Sequence, residues 1–263
     1  MKPVPFELMP AANLAAATDL LRQNAGARVL AGGQSLGPML NLRLARPAML
    51  VPIGHLAELC AVHDAADAVT IGAAVTHAAI SDGRTPDIGD RILARIAEGI
   101  DYRAVRNRGT IGGSLAHADP AADWLCTLMA LGASVLTVSP EGGRIIVLRD
   151  FVSGAFRTTL RHGEILQAIR VPRPSAGLRF GYYKACRKPG EFAHAMAAIS
   201  IDEARGVRRA VIGAVGGAPI VLEGEAVAPR AAEQALARGG RDAVARHQQV
   251  VALQRAIERA AGS

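Results

Sequence analysis

The apolar residues in the first quarter of the chain switch between helical and extended spacing. Residues 13–24 carry them three and four positions apart, as in an amphipathic helix. The runs 27–30 and 47–53 are short and apolar, which is typical of strands, and 36–44 indicates a compact helical turn between them. The pattern predicts a small β-α-β unit, and we place this first region at residues 1–58.

The pattern then changes to a series of strands and helices over residues 59–172. Thr76 is a favourable N-cap for a short helix that ends at Ile80, whereas 101–108 is basic and irregular. Adjacent glycines predict a hairpin turn at 141–143. The expected strands and longer helices are 68–75, 91–99, 120–131, 134–138, 143–148 and 165–171.

A segment rich in proline, 172–177, is the best candidate for a linker. A third region follows it over residues 173–263, which we expect to be a small α+β domain. Its predicted elements are strands at 178–186, 195–201 and 207–215 and helices at 233–237 and 242–260. The alternation of strands and helices along the whole chain predicts an α+β fold.

The charge of the chain does not indicate nucleic-acid binding. The 263 residues carry a formal net charge of +7, but the arginines are scattered among carboxylates. Lysine occurs only at Lys2, Lys184 and Lys188, and aromatic residues make up only 3%, so few rings are available to stack on bases. We therefore expect no nucleic-acid partner, although a positive surface favours an acidic protein partner.

The three cysteines, Cys60, Cys126 and Cys186, are far apart and odd in number. They fit buried small apolar residues better than a disulfide framework or a metal cluster, so we expect no metal site and no iron–sulfur cluster in this chain. The N-terminal residues lack an apolar signal core, and no apolar run reaches the roughly 18 residues of a membrane span. A cytoplasmic protein without a membrane span is the default expectation.

Two turns with adjacent glycines are the candidate binding elements. Ala31-Gly32-Gly33-Gln34-Ser35 follows a predicted strand, and Thr110-Ile111-Gly112-Gly113-Ser114 has a similar composition. Adjacent glycines let an anion approach the backbone N–H groups closely. A single turn of this kind is usually only a turn, but two of them suit the two phosphates of a pyrophosphate. The G-x-G-x-x-G and P-loop motifs are absent, which weakens a Rossmann or NTPase interpretation.

Five segments carry more specific wording: Ala-Gly-Gly-Gln-Ser-Leu at 31–36, Asn-Leu-Arg-Leu at 41–44, Arg-Asn-Arg-Gly-Thr-Ile-Gly-Gly-Ser at 106–114, Ala-His-Ala-Asp-Pro-Ala-Ala-Asp at 116–123 and Glu-Ile-Leu-Gln-Ala-Ile-Arg-Val-Pro at 164–172. Together they resemble the FAD-binding medium subunit of molybdenum hydroxylases, the family of carbon monoxide dehydrogenase and xanthine dehydrogenase. The resemblance covers roughly residues 3–220. It implies a two-part FAD-binding domain similar to that of vanillyl-alcohol oxidase. A small β-α-β subdomain and a larger mixed-sheet subdomain would precede the C-terminal α+β domain.

The resemblance also implies roles in binding FAD. The two glycine turns would wrap the diphosphate, and Asp123 would make an acidic contact with the cofactor. Lys184 would lie near the isoalloxazine, where a cation stabilises reduced, anionic flavin. Ile100 matches an apolar position against the flavin, and Leu166 matches one near the adenine or the ring system. The implied FAD-binding residues are Ala31, Gly32, Gly33, Gln34, Ser35, Leu36, Ile100, Thr110, Ile111, Gly112, Gly113, Ser114, Asp123, Leu166 and Lys184.

Each of these roles has a structural alternative. Asp123, like Asp119, is also a residue that favours the start of the following helix. Lys184 is equally compatible with a solvated strand lysine, and Ile100 and Leu166 with ordinary core residues.

The sequence departs from the family at some points and leaves others open. Ser114 stands where many relatives have Asn, which keeps a polar group, and the match thins after residue 220. Spacing names no dyad partner for His117, so we expect no catalytic residue in this chain. Arg106 and Arg108 fit contacts with phosphate or a partner about as well as solvated loop positions.

The resemblance implies an FAD-binding oxidoreductase subunit that transfers electrons. Substrate chemistry would belong to a large subunit with a molybdenum cofactor. Electrons would reach FAD from [2Fe–2S] clusters on a small subunit and leave to an external acceptor, in a dimer of heterotrimers. Two alternatives remain. One is a self-contained flavin-dependent oxidase, for which the residues after Pro172 look too few to build a substrate domain. The other is a non-enzymatic interaction module or nucleotide sensor.

Overall fold

A computed structural model describes residues 2–240 and 242–262. The N-terminal region is a three-stranded parallel sheet in the order β1-β3-β2. The β-α-β unit is present, and β1 is an additional strand that precedes it. Asn13 begins the first helix, because its side chain accepts a hydrogen bond from Ala16 N at 2.9 Å. The elements are β1 (Glu7–Leu8), α1 (Leu14–Gln23), β2 (Ala27–Leu30), α2 (Leu36–Asn41), β3 (Met49–Pro52) and α3 (Ala57–Cys60).

The middle region contains a five-stranded sheet in the order β4-β5-β10-β6-β7 and a small hairpin, β8-β9. The sequence predicted a mixed sheet here, but neighbouring strands all pair antiparallel. Strand direction depends on tertiary pairing, which apolar spacing does not encode. The elements are β4 (Val62–Asp64), β5 (Ala68–Gly72), α4 (His77–Ser81), α5 (Ile92–Glu98), α6 (Arg103–Arg106), α7 (Ile111–His117), α8 (Asp123–Ala130), β6 (Ser134–Ser139), β7 (Gly142–Val147), α9 (Leu148–Phe151), β8 (Val152–Gly154), β9 (Arg157–Thr158) and β10 (Ile165–Pro172).

Two predicted boundaries in this region were wrong. The helix expected from Pro120 begins three residues later. The Asp119 carboxylate accepts a hydrogen bond from Ala121 N at 2.9 Å, which closes a separate turn before α8. The hairpin turn lies just before Gly142, because Ser139 already pairs with Gly142 across β6 and β7.

The C-terminal region is a four-stranded antiparallel sheet in the order β11-β12-β13-β14, with a long helix on one face. Alternate residues of β12 divide between two cores: Ala195 and Ala197 face α11, whereas Met196 and Ala198 pack with the middle region. The elements are β11 (Arg179–Ala185), β12 (Ala195–Asp202), β13 (Val207–Gly213), β14 (Ile220–Glu223), α10 (Pro229–Arg238) and α11 (Ala243–Ala261). Strand β14 was not predicted, and α10 is longer than expected because Pro229 starts it.

The helix α8 connects the middle and C-terminal regions. All its residues are buried, and it contacts both β12 and β13. One apolar core therefore runs from Val69 on β5 to Ala214 just after β13. The division at residues 58 and 172 stays a prediction. No helix in the described ranges is long and apolar enough to cross a membrane.

Candidate functional site

The turn from Gly32 to Leu36 presents a row of unpaired backbone donors. Within the described residues, none of these five N–H groups donates a hydrogen bond to the protein. Gly33 has φ +72°, a left-handed conformation that glycine adopts without strain. The turn is held by two bonds to its own carbonyls: Gln34 Nε2 donates to Gly32 O at 3.0 Å, and Gly37 N donates to Gly33 O at 2.8 Å. Successive free N–H groups in a turn suit an anion such as a phosphate.

The second glycine segment lies directly against the first. A Cβ atom on Gly32 would be 2.0 Å from Arg108 O and 2.9 Å from Gly109 Cα, so the two backbones touch. A Cβ atom on Gly113 would likewise be 3.8 Å from the Cβ of Ala31. The structure therefore brings together the two segments that the sequence suggested as partners.

The second segment forms a helix after Thr110, and four of its five backbone donors are already used. Thr110 is the N-cap of α7, and the helix includes both glycines. The N–H groups of 111–114 are therefore occupied within the protein, and the binding of phosphate by this segment stays a prediction. The side chains of this segment and its contact with the first turn are still available to a binding site. The four hydrogen bonds run from Ile111 N to Val75 O (3.0 Å), Gly112 N to Ala73 O (3.0 Å), Gly113 N to Thr110 Oγ1 (3.0 Å) and Ser114 N to Thr110 O (3.0 Å).

Asp123 and Lys184 form a buried ion pair. Lys184 Nζ lies 2.8 Å from Asp123 Oδ1, with side chains only 9% and 8% exposed. Lys184 Nζ also donates to Gly99 O at 3.0 Å, and the Tyr182 hydroxyl donates to Asp123 Oδ1 at 2.6 Å. Burial, followed by the Asp123 charge, raises the pKa of Tyr182 well above its ordinary value, so the phenol stays a donor. The alternative of a solvated Lys184 is excluded. Asp123 is also the first residue of α8, so its helix-starting role stands as well.

The two apolar candidates occupy different environments. Ile100 is half-buried, follows Gly99 and pairs with Gly190 in an isolated bridge. Leu166 is buried on β10 within the middle core. Nothing in the described contacts sets Leu166 apart from an ordinary core residue, whereas Ile100 borders the Lys184 site through Gly99.

An exposed aromatic residue two positions after Gly190, the bridge partner of Ile100, was not identified from the sequence. Phe192 is 62% exposed and follows the loop that carries Gly190. The available signal was the presence of an aromatic residue in a chain that has few of them.

A buried histidine supports the second glycine segment. His77 N donates to Gly109 O at 2.9 Å, and Trp124 Nε1 donates to His77 Nδ1 at 3.1 Å. This bond requires Nδ1 to be unprotonated. Burial, followed by the charge of Arg106, lowers the pKa of His77 from 6.5 to about 4. His77 and Trp124 were not singled out from the sequence, because 47 residues separate them.

We expect His77 to make stability depend on pH. Between pH 6.5 and 4 the unfolded chain binds a proton at this imidazole that the folded chain does not. The free energy of unfolding therefore falls by roughly 3 kcal/mol as the pH is lowered through this range. His77→Gln keeps an acceptor for Trp124 and removes the titration. Between pH 7 and pH 4 its free energy of unfolding should therefore fall by roughly 3 kcal/mol less than that of the wild type. Urea unfolding of the wild type and the variant at pH 7 and pH 4 measures this difference. The exposed His63→Gln is the control, and equal pH dependence in both variants contradicts the assignment.

Comparison with solved structures defines the class of protein. The fold matches a chain of the structure described as reconstituted CO dehydrogenase from Oligotropha carboxidovorans, with a TM-score of 0.88 and 32% identity. The match covers 100% of this chain and 99% of that one. The chain thus has the fold of a CO dehydrogenase subunit.

Sequence comparison gives the family. Residues 4–174 match the family described as "FAD binding domain in molybdopterin dehydrogenase". Subunit alpha of the 6-hydroxypseudooxynicotine dehydrogenase complex of Paenarthrobacter nicotinovorans is 36% identical over 82% of this chain and 74% of its own length. The nicotine 6-hydroxylase medium subunit of the same organism is 35% identical over 88% and 84%. The chain belongs to this family, and it is an FAD-binding oxidoreductase subunit of the molybdenum hydroxylase class.

Proposed function

We propose that the diphosphate of FAD binds at the turn from Gly32 to Leu36. The observation that carries this proposal is the row of five N–H groups without a protein acceptor. Hydrogen bonds from such donors to a charged group contribute about 1.5–3 kcal/mol each. Ala31 and the segment from Thr110 to Ser114 close the other side of the turn, where Ser114 offers a hydroxyl.

The isoalloxazine end of FAD is assigned to the Lys184 site. Bound FAD supplies the redox chemistry, and the protein supplies position and charge. Lys184 provides a buried ammonium, and Asp123 offers the carboxylate oxygen that Tyr182 and Lys184 leave unoccupied. Ile100 contributes an apolar surface next to Gly99. Leu166 is the proposed apolar contact near the adenine or the ring system.

The chain relays electrons within a larger complex. A large subunit with a molybdenum cofactor oxidises the substrate, and [2Fe–2S] clusters on a small subunit pass electrons to this FAD and then to an external acceptor. The complex is a dimer of heterotrimers in the cytoplasm. Support comes from the site itself, since FAD rather than a protein acid–base pair accounts for the chemistry, and from relatives described as a complex subunit and a medium subunit.

Reconstitution with the partner subunits tests this function. The purified chain should be yellow or take up FAD. Mixed anaerobically with the reduced [2Fe–2S] subunit, it should lose flavin absorbance in a stopped-flow experiment. The chain alone should not turn over an organic substrate.

Other outcomes contradict the proposal in distinct ways. A chain that neither contains nor takes up FAD contradicts the cofactor assignment. Turnover of an organic substrate by the isolated chain indicates a self-contained oxidase. Bound flavin that accepts electrons neither from dithionite nor from the cluster subunit indicates a sensor or interaction module.

A further inference from the structure

Tyr182 is a half-buried residue at the site whose hydroxyl has no role so far. Its hydroxyl lies 2.6 Å from Asp123 Oδ1 and 3.8 Å from the Met196 sulfur. Tyr182 and Lys184 are two residues apart on β11, so their side chains leave the same face of the sheet. Both contact Oδ1 of Asp123, which belongs to α8 and lies 59 residues from Tyr182 in the sequence.

The two carboxylate oxygens of Asp123 have different contacts. Oδ1 receives the Tyr182 hydroxyl and faces the Lys184 ammonium, whereas Oδ2 has no donor within the described residues. Oδ2 therefore remains open to a donor from a bound ligand, and a hydrogen bond to a charged acceptor is stronger than one between neutral groups. A carboxylate held at Oδ1 is also restricted in rotation, which favours one direction for Oδ2 before any ligand binds.

We propose that Tyr182 is a positioning residue for FAD: it fixes the Asp123 carboxylate so that Oδ2 accepts a hydrogen bond from the cofactor. This inference rests on the proposed FAD site. Lys184 balances the charge of the carboxylate and also donates to Gly99 O, but its three rotatable donors define the angle of the carboxylate less closely than one phenol does. The rigid phenol supplies that angle, and its raised pKa keeps it a donor over the ordinary pH range.

Removal of the hydroxyl is the first test, with the neighbouring tyrosine as a matched control. Tyr182→Phe should raise the dissociation constant for FAD about tenfold, the effect of losing a hydrogen bond to a charged group. Tyr183→Phe makes the same change on the opposite face of β11, where the ring packs with the α11 core and under Arg259, 4.9 Å from its centroid. Tyr183→Phe should leave FAD affinity unchanged. Equal affinities in the two variants overturn the proposal.

A double-mutant cycle tests whether Tyr182 acts through Asp123. In an Asp123→Asn background, Tyr182→Phe should weaken FAD binding less than twofold, because the group that it positions has lost its charge. A full tenfold effect in that background shows that Tyr182 acts independently of Asp123, and it contradicts the proposal.

A spectroscopic test does not require the hydroxyl to be removed. With 3-fluorotyrosine at position 182, the ¹⁹F resonance should shift when the full chain is saturated with FAD. The Asp123→Asn substitution should remove this shift. A resonance that FAD leaves unmoved overturns the proposal even where Tyr182→Phe does not fold. Failure of the wild-type chain to bind FAD would contradict the cofactor site instead, so the two failures are distinguishable.

Discussion

Gly32→Ala should abolish FAD retention. The added Cβ atom would lie 2.0 Å from Arg108 O and 2.9 Å from Gly109 Cα, so the first turn and the segment before α7 must separate. Separation turns the five free N–H groups away from one another. The loss of two charge-assisted hydrogen bonds weakens FAD binding by at least about 100-fold. Titration of the deflavinated chain with FAD, followed by flavin fluorescence, measures the effect.

Gly37 provides the matched control for Gly32. It lies five residues further along, on α2, and a Cβ atom there has no neighbour within 4 Å. Gly37→Ala should therefore bind FAD with the affinity of the wild type. Gly33→Val, which places a β-branched residue at φ +72°, should lose FAD as Gly32→Ala does. Normal affinity in Gly32→Ala would show that the turn does not bind the cofactor.

Gly181→Ala should strongly destabilise the folded chain. A Cβ atom on Gly181 would lie 1.9 Å from Ala256 O and 2.8 Å from Ala260 N, so α11 rests directly on the backbone of β11. The helix has to shift away from the sheet, and overpacking of this kind costs about 3 kcal/mol. For a chain of this size, the midpoint of thermal unfolding should fall by roughly 5–10 °C.

Gly177 is the comparison residue for this second prediction. A Cβ atom there meets only Ser175 Oγ at 3.8 Å, an ordinary contact. Gly177→Ala should therefore unfold within about a degree of the wild type when both are followed by circular dichroism. A Gly181→Ala variant as stable as Gly177→Ala would mean that α11 is not seated on β11.

The first glycine turn could be found from the sequence, but its function as a donor surface could not. Adjacent glycines after a strand, such as Gly32 and Gly33, predict a tight turn. Whether the N–H groups are free depends on the carbonyls that fold against them. At 110–114 similar residue types lie beside the carbonyls of Val75 and Ala73. These carbonyls accept hydrogen bonds from Ile111 N and Gly112 N, and a helix forms. The helix signal was present in Thr110, but seven residues give a weak periodicity.

The long-range contacts of the site lay outside any local pattern. Strand alternation places Tyr182 and Lys184 on one face, yet nothing in the spacing brings Asp123 opposite them. The short strands β1 and β14 were missed for the same reason, because two to four residues become a strand only through a neighbour. The family resemblance implied roles for Asp123 and Lys184, but it did not point to Tyr182, whose hydroxyl donates to Asp123.

The burial of α8 has a consequence for how this family is divided into modules. The FAD-binding family match ends at residue 174, yet Met196, Ala198 and Val211 cover the helix that begins with Asp123. A fragment that ended at residue 174 would leave this helix open to water along one side. The family match therefore marks a shorter stretch than the apolar core that buries α8.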